Sequence, residues 1–228
     1  MTEPARPPTP AVQIGPLKIE GAWAIVILVL LLAIVVALIV LARPRPAMLL
    51  AGAMWIGFIV YWSATSLKAP AAQRTEPAAS RQRHQTLLNV ALLLLFVPVP
   101  GLRLTLLRGP MVPAAGLTVE VAGALLYMWS RRELGRNWSA RISLQQDHVL
   151  VRSGPYARIR HPMYTALIGM AVGTAIVANE LHAVFGVLTM AYAYVRKIAL
   201  EERWMQQEFG AAYDDYRRAT WALIPPLY

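Results

Sequence analysis

The sequence predicts an all-α protein of the membrane, a polytopic bundle of about six hydrophobic helices that ends in a helical hairpin. Of its 228 residues, 57% are hydrophobic and 15% are charged, whereas soluble domains carry about 25% charged residues. Residues 21–42 include no charged side chain. A helix of this length reaches roughly 33 Å, which is enough to cross a hydrocarbon core of about 30 Å. A signal peptide is the alternative, but its apolar region normally has only about 7–15 residues.

The remaining helices follow from further apolar stretches that end at charges or prolines. We expect helices at about 47–67, 87–107 and 116–133, and a C-terminal hairpin at 163–178/181–204. The apolar parts of the hairpin are short for full spans, so the hairpin is expected to be tilted or sunk in one leaflet. The predicted regions are therefore a tail (1–20), transmembrane helices (21–130) and a functional region (131–228).

The first twenty residues contain five prolines and few hydrophobic side chains. Such a composition buries too little apolar surface to offset the entropy of folding. We therefore expect a disordered tail at 1–20.

The formal net charge of +10 could indicate nucleic acid or a membrane surface as partner. With six crossings and an inner N-terminus, 18 of the 22 lysines and arginines fall on one face. This distribution follows the positive-inside rule and requires no nucleic acid. It predicts an integral, multi-pass protein with both termini and the 131–162 loop in the cytoplasm.

The 131–162 loop is long for a simple connection, and loops of this size are usually functional or disordered. Its interleaved aromatic and aliphatic residues favour an ordered loop. Pro162 stands where the next helix should begin, a favoured position for proline. Free backbone N–H groups at this helix start would then lie beside Arg160 and His161, which predicts an anion site.

A pair of carboxylates follows the other arm of the hairpin, at Glu201 and Glu202. Because a hairpin returns to the side on which it began, these carboxylates are expected to face the helix start near His161. A zwitterionic ligand fits such a gap, with its carboxylate at the helix start and its ammonium group on a glutamate. A sulfonium group would also be favoured beside two carboxylates.

These residues form an ordered set of motifs: Gly154-Pro155-Tyr156, Arg160-His161-Pro162-Met163-Tyr164, Glu201-Glu202, and Glu208-Phe209-Gly210 with Tyr213 and Tyr216. The set resembles the signature of the isoprenylcysteine carboxyl methyltransferase family over roughly residues 131–226. Phospholipid N-methyltransferases, membrane thiol methyltransferases and sterol reductases share parts of it. One departure is Ala166, where the family often has glycine.

The resemblance implies that S-adenosyl-L-methionine binds in a cytoplasmic pocket beside the hairpin, with an apolar acceptor admitted from the lipid. It implies cofactor-binding roles for Gly154, Pro155, Tyr156, Arg160, His161, Pro162, Tyr164, Glu201, Glu202, Tyr213 and Tyr216. It implies catalytic roles for Arg203, His161 and Glu202, with Arg203 meeting an acceptor carboxylate.

The chemistry of the acceptor is left open by the residues. A carboxylate is ionised at neutral pH and needs only an orienting cation, whereas a thiol or a phospholipid amine must lose a proton, for which His161 is the nearest base. The four histidines are scattered and the chain has no cysteine, so we expect no metal site. The partners expected are a lipophilic small-molecule acceptor and the lipid bilayer, and the oligomeric state is not readable.

Two rival functions remain at this stage, a non-catalytic transporter or scaffold and a nicotinamide-dependent sterol reductase relative. The two halves of the sequence show no repeat of the kind found in many transporters, and the chain is short for the reductases. Nineteen arginines against three lysines indicate a GC-rich bacterial genome and hence an inner membrane. Glu120 is expected in the first turn of its helix, near the outer surface.

Overall fold

The computed structural model describes residues 11–14, 17–20, 45–66, 74–135, 143–144 and 150–226. Its helices are α1 (Pro46–Ser66), α2 (Ala78–Phe96), α3 (Val112–Leu134), α4 (Pro162–Ala178), α5 (Leu181–Phe209) and α6 (Ala211–Ala219). Among the described residues, α1, α3 and α5 are long and apolar enough to cross a membrane, and α4 is a shorter apolar helix. The predicted all-α membrane bundle with its C-terminal hairpin is confirmed. The helix predicted at 21–42 lies outside the described residues.

Two short strand pairs accompany the helices. In the unit formed by Met1–Pro44, β1 (Ala11–Ile14) pairs antiparallel with β2 (Leu17–Glu20), where a disordered tail was predicted. Apolar residues alternate with polar ones around Gly15-Pro16, a pattern that favours a hairpin. In the second unit, β3 (Arg74–Thr75) pairs with β4 (Ser143–Leu144).

The helix predicted at 87–107 is displaced toward the N-terminus, since α2 begins at Ala78 and ends at Phe96. Pro77 precedes its first residue, and proline is compatible with a helix start. Pro98 and Pro100 prevent it from continuing, because proline lacks a backbone N–H and clashes with the preceding turn. The predicted bounds were wrong because they followed the apolar residues alone, whereas the first turns of α2 are polar.

Helices α3 and α4 pack with their backbones in close contact. A Cβ atom on Gly173 would lie 2.5 Å from the backbone nitrogen of Glu120 and 2.6 Å from the carbonyl oxygen of Gly116. One on Gly123 would lie 2.8 Å from the carbonyl oxygen of Ala166. Small residues allow such an approach between membrane helices. Ala166, the departure from the family pattern, therefore lies at this helix contact and is buried.

Glu120 is fully buried at the α3–α4 contact, which corrects the prediction of a first-turn residue near the outer surface. The helix begins at Val112 with Pro113 in its first turn, so Glu120 falls in the third turn. Neither of its carboxyl oxygens makes a hydrogen bond. Nearby, Thr174 accepts a hydrogen bond of 2.9 Å from Trp55 Nε1.

The turn between α4 and α5 is held by a buried carboxylate, Glu180. Its oxygens lie 3.7 Å from Arg45, 3.5 Å from Arg103 and 3.0 Å from His182 Nε2. Asn179 adopts the left-handed conformation with φ 53° and exchanges hydrogen bonds of 2.8 and 2.9 Å with the backbone of Leu107. These contacts fix the hairpin at the end opposite to the candidate site.

Candidate functional site

The candidate site is built at the start of α4, where the C-terminal segment of the chain runs beside it. Arg160 N donates a hydrogen bond of 2.8 Å to the carbonyl oxygen of Trp221, and His161 N donates one of 3.0 Å to that of Ala222. The hydroxyl group of Thr165 donates one of 2.8 Å to Leu223. This pairing extends the parallel bridge between Ile159 and Trp221, so the end of the chain holds the start of α4 in place.

The same contacts alter the predicted anion site at this helix start. The backbone N–H of His161 is paired with Ala222, and those of Tyr164 and Thr165 are paired with the carbonyl oxygen of His161. Pro162, the first residue of α4, has no N–H to offer. Few backbone N–H groups therefore remain free at the helix start, because carbonyl oxygens of the C-terminal segment and of the first turn accept hydrogen bonds from them.

Arg160 joins the two arms of the hairpin. Its Nε donates a hydrogen bond of 2.8 Å to Glu202 Oε1, and both side chains are about nine-tenths buried, with 10% and 15% of their surface exposed. Its guanidinium group also donates to the carbonyl oxygens of Thr220 and Arg217. Charge-assisted bonds of this kind are stronger than neutral ones, so Arg160 links α4, α5 and the end of α6.

His161 lies between the two predicted carboxylates. Its Nδ1 is 3.5 Å from Glu201 Oε2, and its Nε2 is 3.4 Å from Glu202 Oε1. The ring stacks on Tyr164, with centroids 5.6 Å apart and planes inclined by 5°, and the hydroxyl group of Tyr164 donates a hydrogen bond to Glu201. The structure therefore brings together four predicted residues from opposite arms of the hairpin.

These glutamates lie beyond the apolar stretch of α5. The 29 residues of the helix extend roughly 43 Å, well over the hydrocarbon thickness of about 30 Å. Arg196 and Lys197 end the apolar stretch. Burial disfavours the charged form of Glu202, but His161 and Arg160 outweigh it and lower the pKa of this carboxyl group. Glu202 is therefore held as a carboxylate.

The carboxylates have the opposite effect on the histidine. Burial favours the neutral ring, but the adjacent carboxylates of Glu201 and Glu202 outweigh burial and raise the pKa of His161 above its ordinary value. We therefore expect a larger share of this ring to be protonated near neutral pH than in an ordinary histidine. A protonated imidazole cannot accept a proton, which argues against His161 as a general base.

The raised pKa of His161 predicts a pH-dependent stability. The contribution of His161 to the free energy of unfolding is fully present below the unfolded-state pKa near 6.5. It is lost as the pH rises through the higher folded-state pKa, so the midpoint of thermal unfolding should fall on the alkaline side of neutrality. The shift should be about 2–4 °C per kcal/mol for a chain of this size. Thermal unfolding in detergent between pH 6 and 9 measures it. The His161→Gln variant should lack this fall, and an identical pH profile in the variant would contradict the assignment.

The predicted aromatic residues divide between two places. Tyr213 is buried close to Glu202 and Arg160, and burial and the Glu202 charge raise its pKa. Tyr216 donates a hydrogen bond of 2.7 Å to the carbonyl oxygen of Tyr156, under the guanidinium group of Arg152 at 5.5 Å. Tyr156 is thus part of the contact between the 3-10 turn and α6.

The turn Gly154–Ala157 lies against the end of α3. A Cβ on Gly154 would lie 2.9 Å from the carboxyl group of Glu133, and its φ is +55°, so glycine is suited to this position on two counts. Ser153 donates a hydrogen bond to the same carboxyl group. Pro155 is buried. Gly154 thus lies against the end of α3, and the predicted cofactor-binding roles of Gly154 and Pro155 remain predictions.

Arg203 does not join this cluster. It is exposed, and its Nε donates a hydrogen bond of 2.9 Å to the carbonyl oxygen of Ala199 in its own helix. Glu202 and Glu201, one and two positions earlier, face the cluster. Because successive residues are rotated by about 100° around the helix axis, Arg203 lies on another face. Its predicted catalytic role remains a prediction.

Two cations that the sequence analysis did not select contribute to the site. Arg217 Nε lies 3.5 Å from Glu202 Oε2. Lys197, one turn before Glu201, places its ammonium group 5.4 Å from the ring centroid of Tyr164. The spacing of four residues between Lys197 and Glu201 was a usable signal, because residues four apart share a helix face.

The residues present fit a ligand that is both cationic and zwitterionic, such as S-adenosylmethionine. Two carboxylates can receive an ammonium or sulfonium group, and Arg160 and Arg217 can receive a carboxylate. Two buried atoms make no hydrogen bond: His161 Nε2, which lies beside Glu202, and Gln206 Oε1, one helical turn after Glu202. Buried polar atoms are nearly always paired, so a ligand at this position would remove an unfavourable feature. Within the described residues, no group of three metal-ligating side chains is present.

Comparison with known proteins finds similarity to one family. Residues 116–207 match the sequence model of the isoprenylcysteine carboxyl methyltransferase family. A probable protein-S-isoprenylcysteine O-methyltransferase of Oryza sativa subsp. indica is 28% identical over 117 residues, which cover 50% of this chain and 61% of that protein. The protein-S-isoprenylcysteine O-methyltransferase of Dictyostelium discoideum is 31% identical over 85 residues, which cover 37% of this chain and 36% of that protein.

A solved structure, that of the eukaryotic intramembrane Ras methyltransferase ICMT, matches 65% of this chain and 52% of its own, with 24% identity and a TM-score of 0.47. The chain thus spans from about a third to under two thirds of the length of these proteins. The resemblance predicted from the motifs is confirmed over residues 116–207.

Proposed function

We propose that this chain, whose residues 116–207 match the isoprenylcysteine carboxyl methyltransferase family, is an integral membrane methyltransferase. It transfers a methyl group from S-adenosylmethionine to a lipophilic carboxylate of the isoprenylcysteine kind. The observation that carries this proposal is the pairing of Arg160 and His161 with Glu201 and Glu202 across the hairpin. The charges gathered there are those that a zwitterionic sulfonium compound requires.

The reaction places few demands on acid–base groups. When bound, S-adenosylmethionine supplies a methyl carbon whose bond to sulfur breaks, with the electron pair staying on sulfur, while the acceptor oxygen forms the new bond. The task of the protein is to hold the two reacting atoms in line at about 3–3.5 Å. The ion pair of Arg160 and Glu202 holds the two arms of the hairpin together, and the stacked rings of His161 and Tyr164 lie beside the two carboxylates.

The protonation of His161 favours a carboxylate acceptor over a thiol or an amine. A carboxylate is already ionised and needs no base, whereas thiols and amines must lose a proton. Because Glu201 and Glu202 raise the pKa of His161, the ring is protonated to a greater extent near neutral pH than an ordinary histidine, and it supports orientation and charge balance. Methylation of a thiol or of a phospholipid amine is therefore the alternative that the site supports less well.

The proposed setting is the inner membrane of a bacterium, with the candidate site at the cytoplasmic face. The basic residues concentrate on the side that carries Arg160 and Lys197, as the positive-inside rule requires of a cytoplasmic face. The excess of arginine over lysine supports the bacterial origin, while the relatives described above are eukaryotic. An acceptor with an isoprenoid or acyl chain would reach the site from the surrounding lipid.

The proposal predicts methyl transfer to a lipophilic carboxylate. The chain in nanodiscs is incubated with methyl-labelled S-adenosylmethionine and, separately, N-acetyl-S-farnesylcysteine, a fatty acid, a phospholipid amine and a small thiol. We expect base-labile label in an extractable product of a carboxylic acid, at least about tenfold above the rate with the thiol or the amine. Label on the thiol or amine alone would overturn the carboxylate assignment, and no transfer by folded protein to any acceptor would overturn the enzymatic one.

A further inference from the structure

A row of four stacked or edge-on rings crosses the candidate site from one end to the other. His161 stacks on Tyr164 at 5.6 Å, Tyr164 stacks on Tyr194 at 4.7 Å, and Tyr194 meets the ring of His84 edge-on at 5.4 Å. The row begins at the start of α4, passes α5 and ends in the second turn of α2. It thus connects the carboxylate pair with a part of the chain outside the family match.

Charged groups of both signs lie beside this ring row. At the α4 end, Glu201 and Glu202 lie against His161. Beside the second ring of the row, the ammonium group of Lys197 lies over Tyr164, and its charge acts on both His84 and Glu201. Within the described residues, no carboxylate oxygen lies within 4.0 Å of that ammonium group.

His84, at the α2 end of the row, offers a second polar group without a partner. The residue is more than nine-tenths buried, with 8% of its surface exposed, and its Nδ1 makes no hydrogen bond. A buried polar atom without a partner is uncommon in a folded protein. Arg196 also lies near, but its guanidinium group donates a hydrogen bond of 3.0 Å to Ser80, which ties α5 to the start of α2.

We propose that Lys197 and His84 form the subsite that binds the carboxylate of the acceptor, and that Lys197 takes the orienting part that the family resemblance gave to Arg203. This inference rests on the proposed function and specifies its acceptor site. The cationic ligand is drawn to Glu201 and Glu202, and the anionic acceptor to Lys197. The two then meet along the face of Tyr164.

The charges balance in this arrangement without a proton transfer. The acceptor oxygen donates its electron pair to the methyl carbon, the sulfur keeps the pair of the broken bond, and a neutral ester forms. Lys197 keeps its proton throughout and loses its ion pair when the ester forms. The neutral product is therefore held less tightly than the acid, which assists its release into lipid.

The test measures how well the protein distinguishes an acid from its amide. Binding of N-acetyl-S-farnesylcysteine and of its carboxamide is measured in nanodiscs, for the wild type and for Lys197→Gln. We expect the wild type to bind the acid at least tenfold more tightly than the amide, about 1.4 kcal/mol. Lys197→Gln should reduce this ratio to less than threefold, while its affinity for S-adenosylmethionine stays within about threefold of the wild type. The Lys197→Arg variant should restore most of the ratio.

Further variants test whether the preference for the acid over the amide depends on Lys197 and His84 in particular. Arg83→Gln removes a charge from an exposed position next to His84 and should leave the ratio unchanged, whereas His84→Phe should lower it. An unchanged ratio in Lys197→Gln, its loss in Arg203→Gln instead, or no acid preference in the wild type would each overturn the subsite. Absence of S-adenosylmethionine binding in the wild type would instead overturn the proposed function, so the two failures are distinguishable.

Discussion

Replacing Glu202 with glutamine is expected to weaken the binding of S-adenosylmethionine at least about tenfold, or about 1.4 kcal/mol. Glutamine keeps the size of the side chain but removes the negative charge that faces His161 and the proposed cationic ligand. It also leaves the guanidinium group of Arg160 without its ion pair, at 2.8 Å in the wild type. Calorimetric titration in nanodiscs measures the change directly.

A matched control for this variant is Glu208→Gln, which removes the same charge from an exposed position of the same helix. Its affinity should stay within about twofold of the wild type. Thermal unfolding of both variants separates lost binding from lost folding, because Glu202 also joins α4 to α5. A Glu202→Gln protein that is folded and binds with wild-type affinity would contradict the assignment of the carboxylate pair.

Gly173→Ala is expected to destabilise the protein by about 1–3 kcal/mol, the range for overpacking a close contact. The added Cβ would lie 2.5 Å from the backbone nitrogen of Glu120 and 2.6 Å from the carbonyl oxygen of Gly116. Because these atoms belong to the backbone of α3, no side chain can move away to make room. The two helices must separate, and the loss should be visible as a lower midpoint of thermal unfolding in detergent.

Gly169→Ala is the control on the same helix, one turn earlier. There the nearest atom to an added Cβ is the Cα of Gly123 at 3.9 Å, an ordinary contact. Alanine favours a helix interior over glycine by up to about 1 kcal/mol, so this variant should be as stable as the wild type or more stable. Equal destabilisation by the two substitutions would contradict the close packing of α3 on α4.

The fold could be predicted where apolar composition decides the structure. Apolar stretches indicated α1, α3 and the hairpin to within a few residues, because length and apolarity are direct requirements of a membrane helix. The start of α2 was missed since its first turns are polar, and α6 was missed because its short sequence is polar and charged. A polar, charged or short sequence does not by itself distinguish a helix at the membrane surface from a loop.

The candidate site was predicted in its composition but only partly in its geometry. A hairpin returns to the side on which it began, so His161 was expected opposite Glu201 and Glu202, and the structure brings them together. The pairing of Trp221 and Ala222 with the backbone N–H groups at the helix start could not be predicted, because it joins residues about sixty positions apart. Nor could the cation that faces the site be predicted, since the orientation of Arg203 depends on the rotation of α5.

The proposed methyltransferase function requires, before anything else, that the chain binds S-adenosylmethionine. Calorimetric titration of the wild-type chain in nanodiscs with S-adenosylmethionine measures this without knowledge of the acceptor. We expect saturable binding of S-adenosylmethionine at one site per chain, and we expect S-adenosylhomocysteine to compete for that site. The absence of binding in protein that is shown to be folded by a cooperative thermal transition would contradict it.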